Sequence, residues 1–476
     1  MGLFANLQSS LNALNAFQQS LTVAQNNVSN ASTPGYAAQL ATLDALPFQP
    51  QTGLTGGVQA GTPQSTRDEY LEQAVRYQQS NLGSFTAQSR ALSGVQPLFD
   101  VTGQSGIVAA LNNMFQSFSA WSASPDSAAA QQNVLTSAQD LGMSFQQAAA
   151  TLSSVTSNVN NNIDSTVSQI NTLATQVVNY NLQQAQRGGT ADTGLDANLH
   201  NTLETLSGLA GITARFESDG SVTLLMGGQT PLVIGTHQYS IQSSYSGTAN
   251  PVNPNAPPAA HIVDANGQDV TANVVGGTLG GLLTVRNTVL PSLQGDSQQA
   301  GALNQIAKQV ADRVNQILAT GLDSNGNAGT PLFTYDASSG ADTAQTLAIN
   351  PNITPDTLAA LDPGPPQVAN GIALTLSNLG NSTAAADTID GKSILDFLNG
   401  QTQIIGQQVS NASSGQTVAQ QSVTQAQALR TQQSGVSLDG EAIDIMDLQR
   451  GYQAVSKMIT VIDGLTDTLI NMVTTP

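Results

Sequence analysis

Three short stretches and three scattered histidines have residue types that could do chemistry. Ser105 sits in Gly103-Gln104-Ser105-Gly106. A nucleophile elbow spaces its glycines so that a sharp turn exposes the serine oxygen, and this stretch is one residue short. Asp323-Ser324-Asn325-Gly326-Asn327 offers alternating oxygen donors like the opening of a calcium loop. The glycine falls at the fourth position instead of the sixth, and no glutamate stands at the twelfth, so a turn after a helix accounts for it better. Glu441, Asp444 and Asp447 are three residues apart on a helical pattern. Paired carboxylates can act as acid and base, but at a helix start they also complement the positive end of the macrodipole. They are read as solvated first-turn charges. His200, His237 and His261 are too dispersed for a metal cluster. There is no phosphate-binding Gly-x-x-x-x-Gly-Lys loop and no His-Glu-x-x-His pair. The absence of cysteine removes thiol nucleophiles and cysteine-ligated metals. The reading is a non-enzyme with no catalytic, cofactor or metal site.

Composition points the same way. The 476 residues suggest about three domains. Twelve Lys and Arg against 31 Asp and Glu give a formal charge of −19, and only 9% of the chain is charged. Three lysines cannot neutralise a phosphate backbone, so nucleic acid is excluded as a partner. Anionic membranes are disfavoured for the same reason. No stretch approaches the roughly 18–20 apolar residues of a membrane span. The beginning lacks the basic and apolar regions of a secretory signal and is not read as one. Gln, Asn, Ser and Thr are assigned to surface polarity.

The elements that position these residues are mostly long helices. Residues 1–43 carry no charge, yet Leu7, Leu14, Leu21 and Val28 recur every seventh residue, with Leu11, Phe17 and Ala24 between them. This is one apolar stripe on a helix of roughly 28 residues, about 42 Å long, stopped by Pro34-Gly35. A matching stripe runs through Ile445, Leu448, Tyr452, Val455, Ile459, Ile462, Leu465, Leu469 and Met472. Both approach coiled-coil spacing, and the economical solution packs them on each other, antiparallel or nearly so. An ordinary bundle core, a self-assembly pair and a membrane-surface helix all remain open. The lack of charge favours a face that is later covered, and the lack of lysine and arginine disfavours the membrane.

Between the ends, Thr66-x-x-Glu69 reads as a capping box opening a helix to Pro97. Further helices are expected over 104–120, from about 124 to Gln186, and over 196–210. From 211 the period changes to strands: Asp219-Gly220 between two apolar runs is a hairpin signal, and 250–258 is a proline-rich loop. Gly280 to Thr320 returns to helix, 321–390 is mixed, and Ile394 to about Gln433 is helical again. The predicted fold is mainly α, an elongated multi-domain rod with coiled-coil-like terminal helices packed together and a small β-rich insertion. The expected domains are 1–60 with 434–476 as a terminal helical domain, 61–210 with 276–433 as the rod (331–392 being its mixed α/β part), and 211–275 as the outer insertion.

The ends also carry a resemblance. Ser10-Leu11-Asn12-Ala13-Leu14 and the run from Ala24 to Tyr36, with Asn26, Asn27, Asn30, Thr33, Pro34, Gly35 and Tyr36, resemble the N-terminal motif of the axial proteins of the bacterial flagellum, the rod, hook and hook-associated group. Three further stretches resemble the hook-associated junction branch: 277–283 with Arg286 and Pro291; 309–315 with Gly321 and 325–329; and 434–442 with 448–454. The resemblance is strong over 1–100 and 434–473, recognisable over 160–210 and 276–333, and weak over 211–275 and 335–392. One departure is Asn198–Ser207, where a charge pair common in the family is missing. That implies a weaker local ion pair and leaves the terminal motifs untouched.

The resemblance implies a structural subunit of the hook–filament junction. It implies type III export through the flagellar apparatus without a cleaved signal, a homo-oligomeric ring, and contacts with hook protein and with a second junction protein. It also implies a cytoplasmic chaperone on the C-terminal helix, and terminal helices disordered until assembly. Self-assembly then falls to Leu7, Leu11, Leu14, Phe17, Leu21 and Val28, and self-assembly with chaperone binding to Leu448, Tyr452, Val455, Ile459, Ile462 and Leu469. The expected location is extracellular, in the flagellum. The rival readings are an adhesin or host-contact module using the insertion, a hook or distal-rod protein, and an enzyme.

Overall fold

The computed structural model describes residues 2–49, 54–99, 105–187, 192–246, 257–337 and 342–474. The proline-rich stretch expected at 250–258 and the Gly103-Gln104 half of the elbow-like motif lie largely or wholly outside them.

The chain is mainly helical. Its longest element is α4, Ala128–Gln186, with 59 residues, which spans about 90 Å at the α-helical rise. Ser127 caps it by accepting from the Ala130 amide. Val134, Leu141, Phe145, Leu152, Val159, Ile163, Ile170 and Val177 form its buried stripe, spaced in sevens and fours so that one face meets partners along the whole length. Packed against it are α3 (Gly106–Ala123), α5 (Thr193–Leu209), α6 (Gly277–Thr284) and α9 (Thr343–Thr346). A second long pair is α2 (Glu69–Leu92) with α11 (Ile394–Ser434). The ends of the chain are α1, Gly2–Asn30, and α12, Leu438–Thr474.

Three local expectations change. Asp68, not Thr66, caps α2, accepting from the Tyr70 and Leu71 amides. Thr66 instead donates its hydroxyl to the Ala38 carbonyl, and Ser434 donates its hydroxyl to the Thr66 carbonyl, so the residue sews the start of α2 to the end of α11. The helix expected over 280–320 is broken. After α6 comes one wide turn, Val285–Val289, then α7 (Leu290–Gln294), then a loop to α8 (Ala302–Ala319). Gly295 and Gly301 bound that loop at φ 91° and 80°, which residues with a Cβ rarely adopt. Residues 39–65, for which the sequence suggested no strands, form a nested antiparallel ribbon. It comprises β1 (Gln39–Leu40), β2 (Leu43–Ala45), β3 (Phe48–Gln49), β4 (Leu54–Thr55), β5 (Val58–Ala60) and β6 (Gln64–Ser65), pairing Gln39 with Ser65, Asp44 with Gln59 and Phe48 with Thr55.

The insertion is β-rich, as its period implied. β7 (Ile212–Phe216), β8 (Val222–Met226), β9 (Thr230–Ile234) and β10 (His237–Gln238) form an antiparallel sheet in the order β10-β9-β8-β7. β11 (Gln242–Tyr245) pairs with β12 (Ala260–Val263). Farther along, β13 (Phe333–Thr334) pairs with β14 (Ala348–Ile349), and α10 spans Gly371–Asn378.

Asparagine does much of the fastening. Asn181 accepts from the Val222 amide at 2.8 Å and donates to its carbonyl at 2.9 Å. Asn171 does the same with Ile241, Asn287 with Ala260, Asn315 with Phe333 and Asn27 with Gln39. Each helical side-chain amide stands in for a strand's backbone and satisfies both polar groups of one residue as an element leaves a loop. These asparagines are structural clamps, not the surface polarity to which composition assigned them.

Candidate functional site: the joined chain ends

Of the stretches singled out first, 323–327 is held by its own backbone. Asp323 accepts from the Asn325 and Asn327 amides, each at 2.8 Å, and these backbone bonds hold its carboxyl below the usual range. Gly326 takes φ 84°, so the segment is a closed turn. Among the described residues no three His, Asp or Glu side chains gather as a metal site, and no helix is long and apolar enough to cross a membrane.

The two chain ends are brought together instead. Phe17 of α1 lies over Gly451 of α12, and Asn27 bonds Glu441. Ten residues back along one helix match ten forward along the other, so the pair is antiparallel. A Cβ at position 451 would come within 2.9 Å of the Phe17 ring, so the glycine lets the aromatic ring lie on the opposite backbone.

The join is fastened by Asn27, which is 2% exposed. Its Nδ2 donates to the Gln39 carbonyl at 2.9 Å and to Glu441 Oε1 at 2.7 Å. Its Oδ1 accepts from the Tyr36 hydroxyl and the Gln39 amide, each at 2.9 Å. All four hydrogen-bonding positions of the amide are used. Glu441 is therefore not a free first-turn charge: its pKa is raised by burial, with Asp444 adding to the rise against the opposing Asn27 bond. The Tyr36 hydroxyl is also pushed up, by burial and then by Glu441. Asp447 faces only Arg450, at 3.9 Å, on an exposed surface.

The turn after α1 rests on the rod. Thr33 donates its amide to the Asn30 carbonyl and its hydroxyl to Asn30 Oδ1, while Asn30 Nδ2 reaches back to Asn26. Asn26 donates to the Thr193 hydroxyl at 3.3 Å. Pro34 is exposed. Gly35 has φ 76°, and a Cβ there would stand 2.3 Å from the Ala197 carbonyl oxygen. Arg67 donates to the Gly35 carbonyl at 2.7 Å, to Glu72 at 2.5 Å and to Asp196 at 2.8 Å. Arg430 of α11 bonds Glu72 at 3.2 Å and Glu204 at 2.7 Å.

On α5, Asp196 and Glu204 each hold an arginine, and Gly35 and Asn26 lie directly on the helix. His200 sits inside this cluster, 3.6 Å from Asp196 and 3.9 Å from Glu72. Those carboxylates favour its cation, but burial and the guanidiniums of Arg67, Arg76 and Arg430 outweigh them and drive its pKa down to about 2. It is a neutral ring stacked on Phe216, centroids 5.5 Å apart.

The apolar stripes are only partly covered. On α1 the buried residues are small: Ser10, Ala16, Ser20, Ala24 and Asn27. Leu7, Leu14, Phe17 and Leu21 are half-buried, while Leu11 and Val28 are each 39% exposed. On α12, Leu448, Tyr452, Val455, Ile459 and Ile462 are half-buried and Leu469 is exposed. Beside them runs a row that the sequence reading passed over in part: Met446, Met458, Val461, Leu465 and Met472, each more than half exposed. The ends are helical and paired with each other.

A family model described as the flagellar hook-associated protein FlgK helical domain matches residues 92–333. One for the C-terminal part of flagellar basal-body rod FlgEFG proteins matches 427–472, and one for flagellar basal-body rod proteins matches 7–36. Flagellar hook-associated protein 1 of Bacillus subtilis is 24% identical over 98% of both chains. The protein of that name from Salmonella typhimurium is 25% identical over 71% of this chain and 62% of its own length. The solved structure of the flagellar hook junction protein FlgK from Burkholderia pseudomallei superposes with a TM-score of 0.60 at 17% identity, covering 76% of this chain and all of that one.

Proposed function

The chain belongs to the flagellar hook-associated protein FlgK family, and on that premise we propose that it is a structural subunit of the flagellar axis, working at the junction of hook and filament. One observation carries the mechanism. The two ends form a single antiparallel pair, clasped by Asn27 and Glu441, whose α12 side presents an apolar row that none of the described residues covers. Covering that row in an assembly contributes roughly 1 kcal/mol for each half-exposed Met, Leu or Val, against the entropy of ordering the outer part of the helix.

On this reading 1–60 with 434–476 is the terminal domain, 61–210 with 276–433 is the rod, and 211–275 is an outer insertion. The named leucines and Val28 of α1, and the Leu448 to Leu469 row of α12, are the surfaces that meet neighbouring copies, hook protein and the second junction protein. Before export the α12 row is what a cytoplasmic chaperone covers, and export proceeds through the flagellar type III apparatus to the cell exterior. We assign the chain no catalytic role. The family models match both ends and the rod, which favours the junction over an adhesin built on the insertion alone.

Deleting the gene in its own bacterium tests the proposal. Electron microscopy is expected to show hooks without attached filaments, with filaments restored by the full-length gene. Filaments of normal number on the deletion strain would refute it.

A further inference from the structure

Of the insertion sheet's two edges, one is closed. β10 is two residues long, and Gln238 is tied to α4 through the Asn171 carbonyl and the Thr175 hydroxyl. The other edge, β7, is open. The bonds from the Gly227 amide to the Gly211 carbonyl and from the Glu217 amide to the Ser221 carbonyl fix its register. In an antiparallel pair the backbone groups alternate between partner and edge. Thr213 and Arg215 therefore face β8, while Ile212, Ala214 and Phe216 turn their amides and carbonyls outward.

That edge looks across a groove of about 590 Å³ to α2, lined on the helix side by Glu69, Gln73, Arg76, Tyr77 and Ser80 and floored by Val275. Natural sheets guard an open edge with proline, a bulge or charge. β7 has no proline, and the register shift in this sheet lies between β8 and β9. The charge on the edge is positive. Arg215 is exposed and, among the described residues, has no ion pair. Arg76 is 7% exposed and pairs with Glu69 through Nη2, leaving Nη1 without an acceptor.

We propose that this groove takes an extended, acidic segment of another polypeptide as a fifth strand on β7. The main chain of the segment pairs with Ile212, Ala214 and Phe216, which supplies affinity without sequence demands. Its small side chains face Tyr77 and Val275, and its carboxylate meets the guanidinium of Arg215. Five residues of β7 give a docking length of about 17 Å.

The probe is a fluorescent, end-blocked six-residue peptide alternating valine and threonine with one central glutamate, titrated into the full chain by anisotropy. Saturable binding is expected, weakened at least tenfold by N-methylation of the central residues or by lysine in place of glutamate. In the chain, Ala214→Pro is expected to abolish binding. The Ala214 amide points away from β8, so the ladder survives, and an unchanged circular-dichroism melt checks this. Arg215→Glu is expected to reverse the preference between the glutamate and lysine peptides, a result that stands even if the proline variant misfolds. No binding, equal binding of the N-methylated peptide, or a preference unmoved by Arg215→Glu would overturn the proposal.

Discussion

Replacing Asn27 by alanine tests the clasp between the chain ends. The substitution removes four hydrogen bonds and leaves the Gln39 amide, the Gln39 carbonyl, the Tyr36 hydroxyl and one Glu441 oxygen without that partner. A buried group left unsatisfied costs about 1–3 kcal/mol. Tyr36, Gln39 and Glu441 are only half-buried, so water recovers part of the loss, and a total of about 3 kcal/mol is expected. The four bonds join only residues of the two chain ends, so the loss is local. Hydrogen exchange of the free chain reads it. In the unaltered protein, amides of 15–30 and 441–455 are expected to be protected, while 465–474, where Leu465, Leu469 and Met472 are exposed, exchange freely. In Asn27→Ala the first two stretches speed up by about a hundredfold, at 1.4 kcal/mol per factor of ten, while 130–180 is unchanged. Equal exchange in the two proteins would refute the clasp. So would an unaltered chain in which 441–455 exchanges as freely as 465–474.

Other consequences follow from the same cluster. Gly35→Ala places a Cβ 2.3 Å from a backbone oxygen at φ 76°, and is expected to cost more than about 2 kcal/mol, read as a lowered urea midpoint. Glu72→Ala leaves Arg67 and Arg430 facing a buried vacancy and is expected to destabilise by about 3–5 kcal/mol, more than Asp447→Ala, whose partner is exposed. His200 is neutral when folded, with a pKa of about 2 against 6.5 for an ordinary histidine. The unfolded chain therefore binds the extra proton first as pH falls, and stability held above about 6.5 is lost progressively below it. Lowering the pH to 5 is expected to remove about 2 kcal/mol through this residue. His200→Gln is expected to flatten the pH dependence of the urea midpoint over that interval.

What was legible in the sequence was what repeats. The stripe from Val134 to Val177 and the two terminal stripes gave their helices to within a few residues, because an apolar side chain every third or fourth position has few other solutions. The hairpin at Asp219-Gly220 was legible from its turn chemistry. The ribbon over 39–65 was not, because strands of two and three residues carry no measurable alternation. Its pairing is set from outside, by Asn27 on Gln39 at one end and by Ser9 on the Gly56 carbonyl near the other. The clamping asparagines were illegible for a related reason: nothing local separates Asn181 from the solvent-facing asparagines beside it. The arginine cluster joins Arg67, Asp196 and Arg430, residues up to 363 apart in the chain, and sequence periodicity has no reach of that kind. On α1 the stripe took in Ala24 but not Ser10, Ala16 or Ser20, because leucines dominate a hydrophobic count, although these small residues are the ones buried.

The central claim is that the apolar row of α12 is left open in the single chain to be covered by assembly. The chain contains no cysteine, so one introduced thiol reports without background. Met458→Cys places it in the middle of the row, and Asn266→Cys places a control on an exposed turn of the insertion. Maleimide labelling should be fast at both positions in the free chain. In flagella isolated from the bacterium it should remain fast at 266 and slow at least tenfold at 458. Equal labelling rates at 458 in the free and assembled protein would contradict the account.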